Sequence, residues 1–228
     1  MPEPPFVCVT VARQLGSGGS YLAQRVADRL GWPYLDRELL RQAAQELGVD
    51  AADLAPQEER LTRFWSQLLR AFALGAPESV YIPPPLQPVP DEQLLEVQQR
   101  VMCRLARQGH CVVVGRGGFH FLEGHARLFN VFVHAPRAWR RQRVEQLYNA
   151  QQADALLEQA DRDREHYIRR ATGRDWYDAR NYHLCIDTAR VGFEAAQQWI
   201  VDQAQRMVRE GEGGSRGADD AKTETESG

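Results

Sequence analysis

Lysine is almost missing: among 228 residues only Lys222 is one, and it stands in the polar C-terminal segment. Every cation a folded site could use is therefore an arginine or a histidine, which excludes Schiff-base or lysine-base catalysis. Arginine stays protonated and cannot act as a base, but its planar fork binds phosphate oxygens. An arginine-for-lysine bias of codon usage accounts for the shortage without reference to function; the consequence for mechanism is the same. Cysteine pairing is missing too. Cys8, Cys103, Cys111 and Cys185 lie far apart, with no CxxC and no Cys/His spacing, and read as reduced thiols of a cytoplasmic protein. No apolar run approaches the ~18 residues of a membrane span, and the Met-Pro-Glu-Pro-Pro start lacks the features of a signal peptide. Net charge is small as well, -3 from 28 basic and 31 acidic residues. Glu212, Asp219, Asp220, Glu224 and Glu226 oppose only Arg216 and Lys222 in the tail, so the body is near neutral. Neither a nucleic acid nor a membrane is expected as a partner.

What is present alternates between strand and helix. Phe6 to Ala12 is β-rich, a glycine-rich turn follows, and Leu22, Val26, Ala27 and Leu30 keep helical spacing. Tyr34-Leu35 gives a brief second strand, and Asp36 is placed to cap a helix running to about Leu47. Leu61, Phe64, Trp65, Leu68, Leu69 and Phe72 form the stripe of an amphipathic helix over 61–74. It either packs on the body or offers a homodimer contact or a moving cover. Six of the twelve prolines fall between Pro77 and Pro90, which excludes regular structure there. A helix from about Asp91 to Gln108 precedes strands at Cys111 to Val114 and Leu128 to His134. Helices then span Pro136 to Asn149 and Ala153 to Ala171, the last strand is His183 to Asp187, and a closing helix runs from Phe193 to about Arg209. Beyond Gly211 the composition predicts disorder.

In an open parallel sheet ligands bind beyond the C-terminal strand ends. Those positions hold Arg13 with the glycine loop, Asp36, Gly115 with Arg116, His134 and Asp187. Gly16, Gly18 and Gly19 let successive backbone amides turn inward around an anion, and the following helix adds its positive end. Phosphate is the natural guest, with Ser20 where a hydroxyl commonly ligates magnesium. The same serines also suit a plain helix start. Gly19 stands where such loops carry a lysine for the outer phosphates.

Three segments, Val9-Thr-Val-Ala-Arg-Gln-Leu-Gly-Ser-Gly-Gly-Ser20, Tyr34-Leu-Asp-Arg-Glu-Leu39 and Val113-Val-Gly-Arg-Gly117, follow one another as in the cytidylate kinase-like family. Val131 to Arg143, Asp161 to Tyr167, Thr172 to Trp176 and Tyr182 to Thr188 also resemble it, so the likeness spans roughly residues 6 to 205. It implies an α/β, three-layer P-loop kinase fold: a central five-stranded parallel sheet, helices on both faces, a helical insertion and an arginine-rich lid. Residues 1–210 would be one domain, with 48–90 an acceptor-side insertion, about 137–174 the lid region and 211–228 a disordered acidic tail. The implied reaction is ATP- and magnesium-dependent phosphoryl transfer to a nucleoside monophosphate, CMP or dCMP first. Gly16, Ser17, Gly18, Gly19 and Ser20 would hold ATP, with Ser20 toward Mg2+. Asp36, Arg116, Asp161 and Arg164 would face the acceptor, while Arg140 and Arg143 would bring lid charge to the phosphates. The chain departs from true cytidylate kinases at Gly19, where they have lysine, and at Gly117, where they have an acid. Arg13 is the expected replacement for the missing cation. The same departures fit a nucleotide-binding regulator without catalysis, and the unmatched insertion leaves room for a kinase of a non-nucleotide small molecule.

Overall fold

Five strands form one parallel sheet in the order β2-β3-β1-β4-β5 in the computed structural model, which describes residues 4–36, 102–148 and 152–225. They are β1 (Val7–Arg13), β2 (Tyr34–Leu35), β3 (Cys111–Val114), β4 (Arg127–His134) and β5 (Leu184–Asp187). β1 is buried along nearly its whole length because both faces of the sheet are covered, so it reads as a continuous apolar run. Alternate residues still serve different faces. Val9 and Val11 pack with Leu22 and Val26 of α1 (Gly19–Leu30) and with Ile200 of the closing helix, whereas Cys8 packs with Met102, Val113 and Leu122 on the other side. α1 stops at Gly31, whose left-handed backbone (φ 68°) lets its N–H reach Ala27 and Asp28 carbonyls.

Four more helices are short or lie over the strand ends: α2 (Gly118–Phe121), α3 (Arg137–Tyr148), α4 (Ala153–Thr172) and α5 (Thr188–Val191). The closing helix α6 spans Phe193–Thr225, and residues 102–106 are also helical. The five strands, α1, α3, α4 and the start of α6 fall where the sequence places them, with ends shifted by one or two residues, whereas the short α2 and α5 carried no sequence expectation. α6 is the exception, continuing past Arg209 through the segment whose composition predicts no fixed structure. A helix already nucleated by its packed part extends at one hydrogen bond per added residue, which composition alone does not register. The insertion 48–90, its helix 61–74, the helix expected after Asp36 and residues 91–101 lie outside the described residues.

Two packing features position the site. α3 and α4 form a hairpin with its own apolar cluster of Val144, Ala153, Leu157 and Ala160, and the fifth member of that cluster is Leu15 from the glycine loop. The register of β1 against β3 sets Cys8 directly beside Cys111, with the two buried sulfurs 3.0 Å apart. No helix among the described residues is long and apolar enough to cross a membrane.

Candidate active site

β1 is the central strand, flanked by β3 and β4, so the loop at its C-terminal end lies at the switch point of the sheet. Residues 15–19 of that loop are buried. Its carbonyl oxygens are held by the protein. The Ser17 hydroxyl donates to Gln14 O at 2.8 Å, Arg140 Nη1 donates to Leu15 O at 3.0 Å, and the Thr188 hydroxyl donates to Ser17 O at 2.6 Å. The amides are treated differently. Ser17 N reaches Gln14 O and Leu15 N reaches Asp161 Oδ1, but the N–H groups of Gly16, Gly18, Gly19 and Ser20 meet no acceptor among the described residues. Gly16 and Gly18 both have positive φ (77° and 81°), and no side chain caps α1. Buried donors are almost always paired. A run of them at a helix N-terminus is an anion site.

Arg13 crosses this loop. A Cβ on Gly19 would overlap the Cβ of Arg13, and a Cβ on Gly115 would overlap its Nη1, so two glycines make the slot in which one arginine lies. Its side chain is 13% exposed, which removes the reading of a surface arginine at a strand end. Nε donates to Ser20 Oγ at 3.2 Å, and Nη2 lies 3.6 Å from Asp36 Oδ2. The guanidinium thus spans from the start of α1 to the ends of β2 and β3. Burial pushes the Tyr34 phenol well above its ordinary range, the Asp36 carboxylate adds to this, and Arg13 and a Ser20 hydrogen bond oppose it. Behind Arg13, Gly115, Arg116 and Gly117 are all left-handed (φ 71°, 56° and 69°). Holding a non-glycine residue there costs on the order of 1 kcal/mol. The turn carries the backbone from β3 into α2.

The other expected charges lie elsewhere. Arg140, expected at the phosphates, is 7% exposed and donates to Ala135 O, Leu15 O and Asp161 Oδ2. Asp161, expected at the acceptor, accepts from Leu15 N (2.8 Å), Arg140 (2.7 Å) and Arg164 (3.2 Å), so both of its oxygens face protein. Arg164 is correspondingly drawn to Asp161. Arg143 lies against the rings of Trp139 (4.9 Å) and Phe193 (5.1 Å), on the α6 side of α3. Arg140 and Arg164 thus tie the hairpin together through Asp161, and Arg143 packs its guanidinium on two rings instead. Arg116 makes no hydrogen bond or ion pair with another described residue. His134 stacks on Phe132, and Asp187 caps α5 through Ala189 N while pairing with Arg190.

Ser20 Oγ accepts the Arg13 Nε–H, which places a guanidinium on one side of the hydroxyl expected to face magnesium and leaves its second lone pair for a ligand. Among the described residues no group of three or more His, Cys, Asp or Glu side chains is arranged to hold a metal ion. Thr188, named in the sequence only as the last residue of a family-like segment, is the loop contact that sequence reasoning did not single out, because the Ser17 carbonyl it holds is 171 residues away. Beside the loop, Gln14, Arg137, Arg140, Leu157, Glu158, Asp161, Arg162, Glu165 and Tyr177 line a cleft of about 210 Å³. Burial raises the Tyr177 phenol above its ordinary value, helped by Asp161 and opposed by a hydrogen bond from Gln14.

A parallel 2-3-1-4-5 sheet with a glycine loop leading from β1 into α1 defines a P-loop kinase fold. The model of the cytidylate kinase-like family matches residues 8–190, and the chain belongs to that family. Among solved structures, an uncharacterized protein from Eubacterium ventriosum ATCC 27560 is similar with a TM-score of 0.63 at 18% identity, over 87% of this chain and 98% of that one. A gluconokinase from Sinorhizobium meliloti 1021 gives a TM-score of 0.49 at 15% identity, over 91% and 96%. A shikimate kinase from Acinetobacter baumannii in complex with shikimate gives 0.46 at 13%, over 89% and 95%. No curated protein matches the chain.

Proposed function

We propose that the chain is an ATP-dependent kinase that transfers the γ-phosphoryl group to a nucleoside monophosphate, CMP or dCMP first. The reading rests on one observation: the carbonyls of residues 14, 15 and 17 are tied to protein donors while the amides of Gly16, Gly18, Gly19 and Ser20 meet no acceptor among the described residues. Those amides would hold the donor phosphates. Arg13, between the loop and Asp36, would neutralise charge on the transferred group, the task of the missing lysine. An acceptor phosphate oxygen would form the new bond to phosphorus as the bond to the β-phosphate oxygen breaks and ADP leaves. An anionic acceptor needs no base. Arg116, at the end of β3, would face the acceptor together with Asp36. Steady-state assays with ATP, magnesium and a panel of nucleoside monophosphates test this, and no turnover above background across the panel rejects it.

A second reading, a nucleotide-binding regulator without transfer, draws support from the engagement of Arg140 and Arg143 inside the protein. Fewer cations are then left for the transferred phosphate. Calorimetric binding of ATP without transfer to any acceptor selects this reading over the first.

A further inference from the structure

All three polar or apolar handles of Leu15 are taken by one structural unit. Its N–H goes to Asp161, its carbonyl to Arg140, and its side chain into the apolar cluster of the α3–α4 hairpin. The next residue is in contact as well, since a Cβ on Gly16 would come within 2.8 Å of the Arg140 carbonyl oxygen. The Arg140–Asp161 pair joins the two helices of the hairpin at 2.7 Å, with both side chains about nine-tenths buried. We infer that Arg140 and Asp161 are positioning residues for the donor loop: acting through Leu15, the pair fixes the peptide planes on which the amides of Gly16 to Ser20 depend.

The physical reason is directional. The Leu15 carbonyl and the Gly16 N–H share one peptide plane, so the Arg140 bond to that carbonyl sets the direction of the Gly16 amide, while the Asp161 bond to Leu15 N fixes the plane before it. A pair that only braced the hairpin would have no reason to place its charged atoms on both ends of one loop residue. Charged hydrogen bonds are also the stronger kind, so the restraint is stiff.

The inference rests on the proposed nucleotide reading for its affinity arm but not for its exchange arm. The test uses the full chain with Arg140→Met and Asp161→Asn combined. Removing both charges together strands neither member of the main pair, and the amide oxygen introduced by Asp161→Asn can still accept from Arg164. Calorimetry should show ATP affinity reduced by about tenfold or more, the scale of one charged hydrogen bond. Amide hydrogen exchange without nucleotide should speed up at Ser17 and Leu22, whose N–H groups are bonded to Gln14 O and Gly18 O across the loop, while β4 keeps its protection. Unchanged exchange in the loop overturns the inference, as does wild-type affinity in the double variant. If the wild type itself binds no ATP, the nucleotide reading has failed and the exchange arm alone decides. If the double variant does not fold, Arg140→Lys alone decides by the same exchange measurement, because the ammonium keeps a charge beside Asp161 while giving up the fork that also reaches Leu15 O.

Discussion

Arg13 and Arg140 approach the same loop from opposite sides, and the difference between them separates ligand chemistry from construction. Arg140 spends its donors on two backbone carbonyls and one carboxylate at 2.7–3.0 Å. Arg13 has a hydroxyl at 3.2 Å and a carboxylate at 3.6 Å, both longer than charged hydrogen bonds prefer. The first is satisfied by the protein. The second is held in place with capacity left for an anion. Under the proposed function the isolated arginine at the end of the first strand, and not the crowded ones, would face the transferred phosphate.

Breaking the comparison begins with Arg140→Ala, which leaves Asp161 buried without its main partner. Urea denaturation should show a loss of about 3–5 kcal/mol. Arg13→Ala should do the opposite kind of damage, lowering turnover about 10²- to 10³-fold with a far smaller change in melting temperature. Similar rate losses in both variants, after correction for the folded fraction, would erase the distinction. Thr188→Val removes the donor to Ser17 O and leaves that carbonyl buried, an expected loss of about 1–3 kcal/mol in the same denaturation assay. Thr188→Ser should restore most of it. Arg162→Ala, breaking an exposed pair with Glu158, should change stability by less than about 1 kcal/mol and leave the loop's amide exchange unaltered.

The smallest effect is a pH control remote from both arginines. Burial, and then the Arg174 charge, hold the His120 imidazole below its ordinary value, with Glu123 opposing. The unfolded chain therefore takes up the proton first as pH falls. Stability is full above about pH 6.5 and declines as pH drops toward the folded value. Melting temperatures from pH 8 to 5 should show this slope, and His120→Gln should flatten it.

The architecture was legible because its signals are local. Val7 to Ala12, Cys111 to Val114 and Leu128 to His134 are apolar runs of strand length, and glycine and proline mark where they stop. The list of strand-end residues was likewise correct in placing Arg13, Asp36 and Arg116 along one edge of the sheet. What the sequence did not display is how each polar group spends its hydrogen bonds. Asp161 and Arg164 have the spacing of a binding pair, yet Asp161 is turned to Leu15, 146 positions earlier. Nor does spacing show that Cys8 and Cys111 are neighbours, since only the strand register brings them together. Burial of charge is decided by partners from distant segments, and a one-dimensional pattern lists the charges without the partners.

The slot formed by Gly19 and Gly115 has a bearing on engineering. A side chain at position 19 would meet the Cβ and Cγ of residue 13 and the Cβ of Val133 before its own head group mattered, and one at 115 would meet the Arg13 guanidinium. Grafting a lysine onto position 19 therefore demands a shift of the strand-end backbone as well as a change of residue.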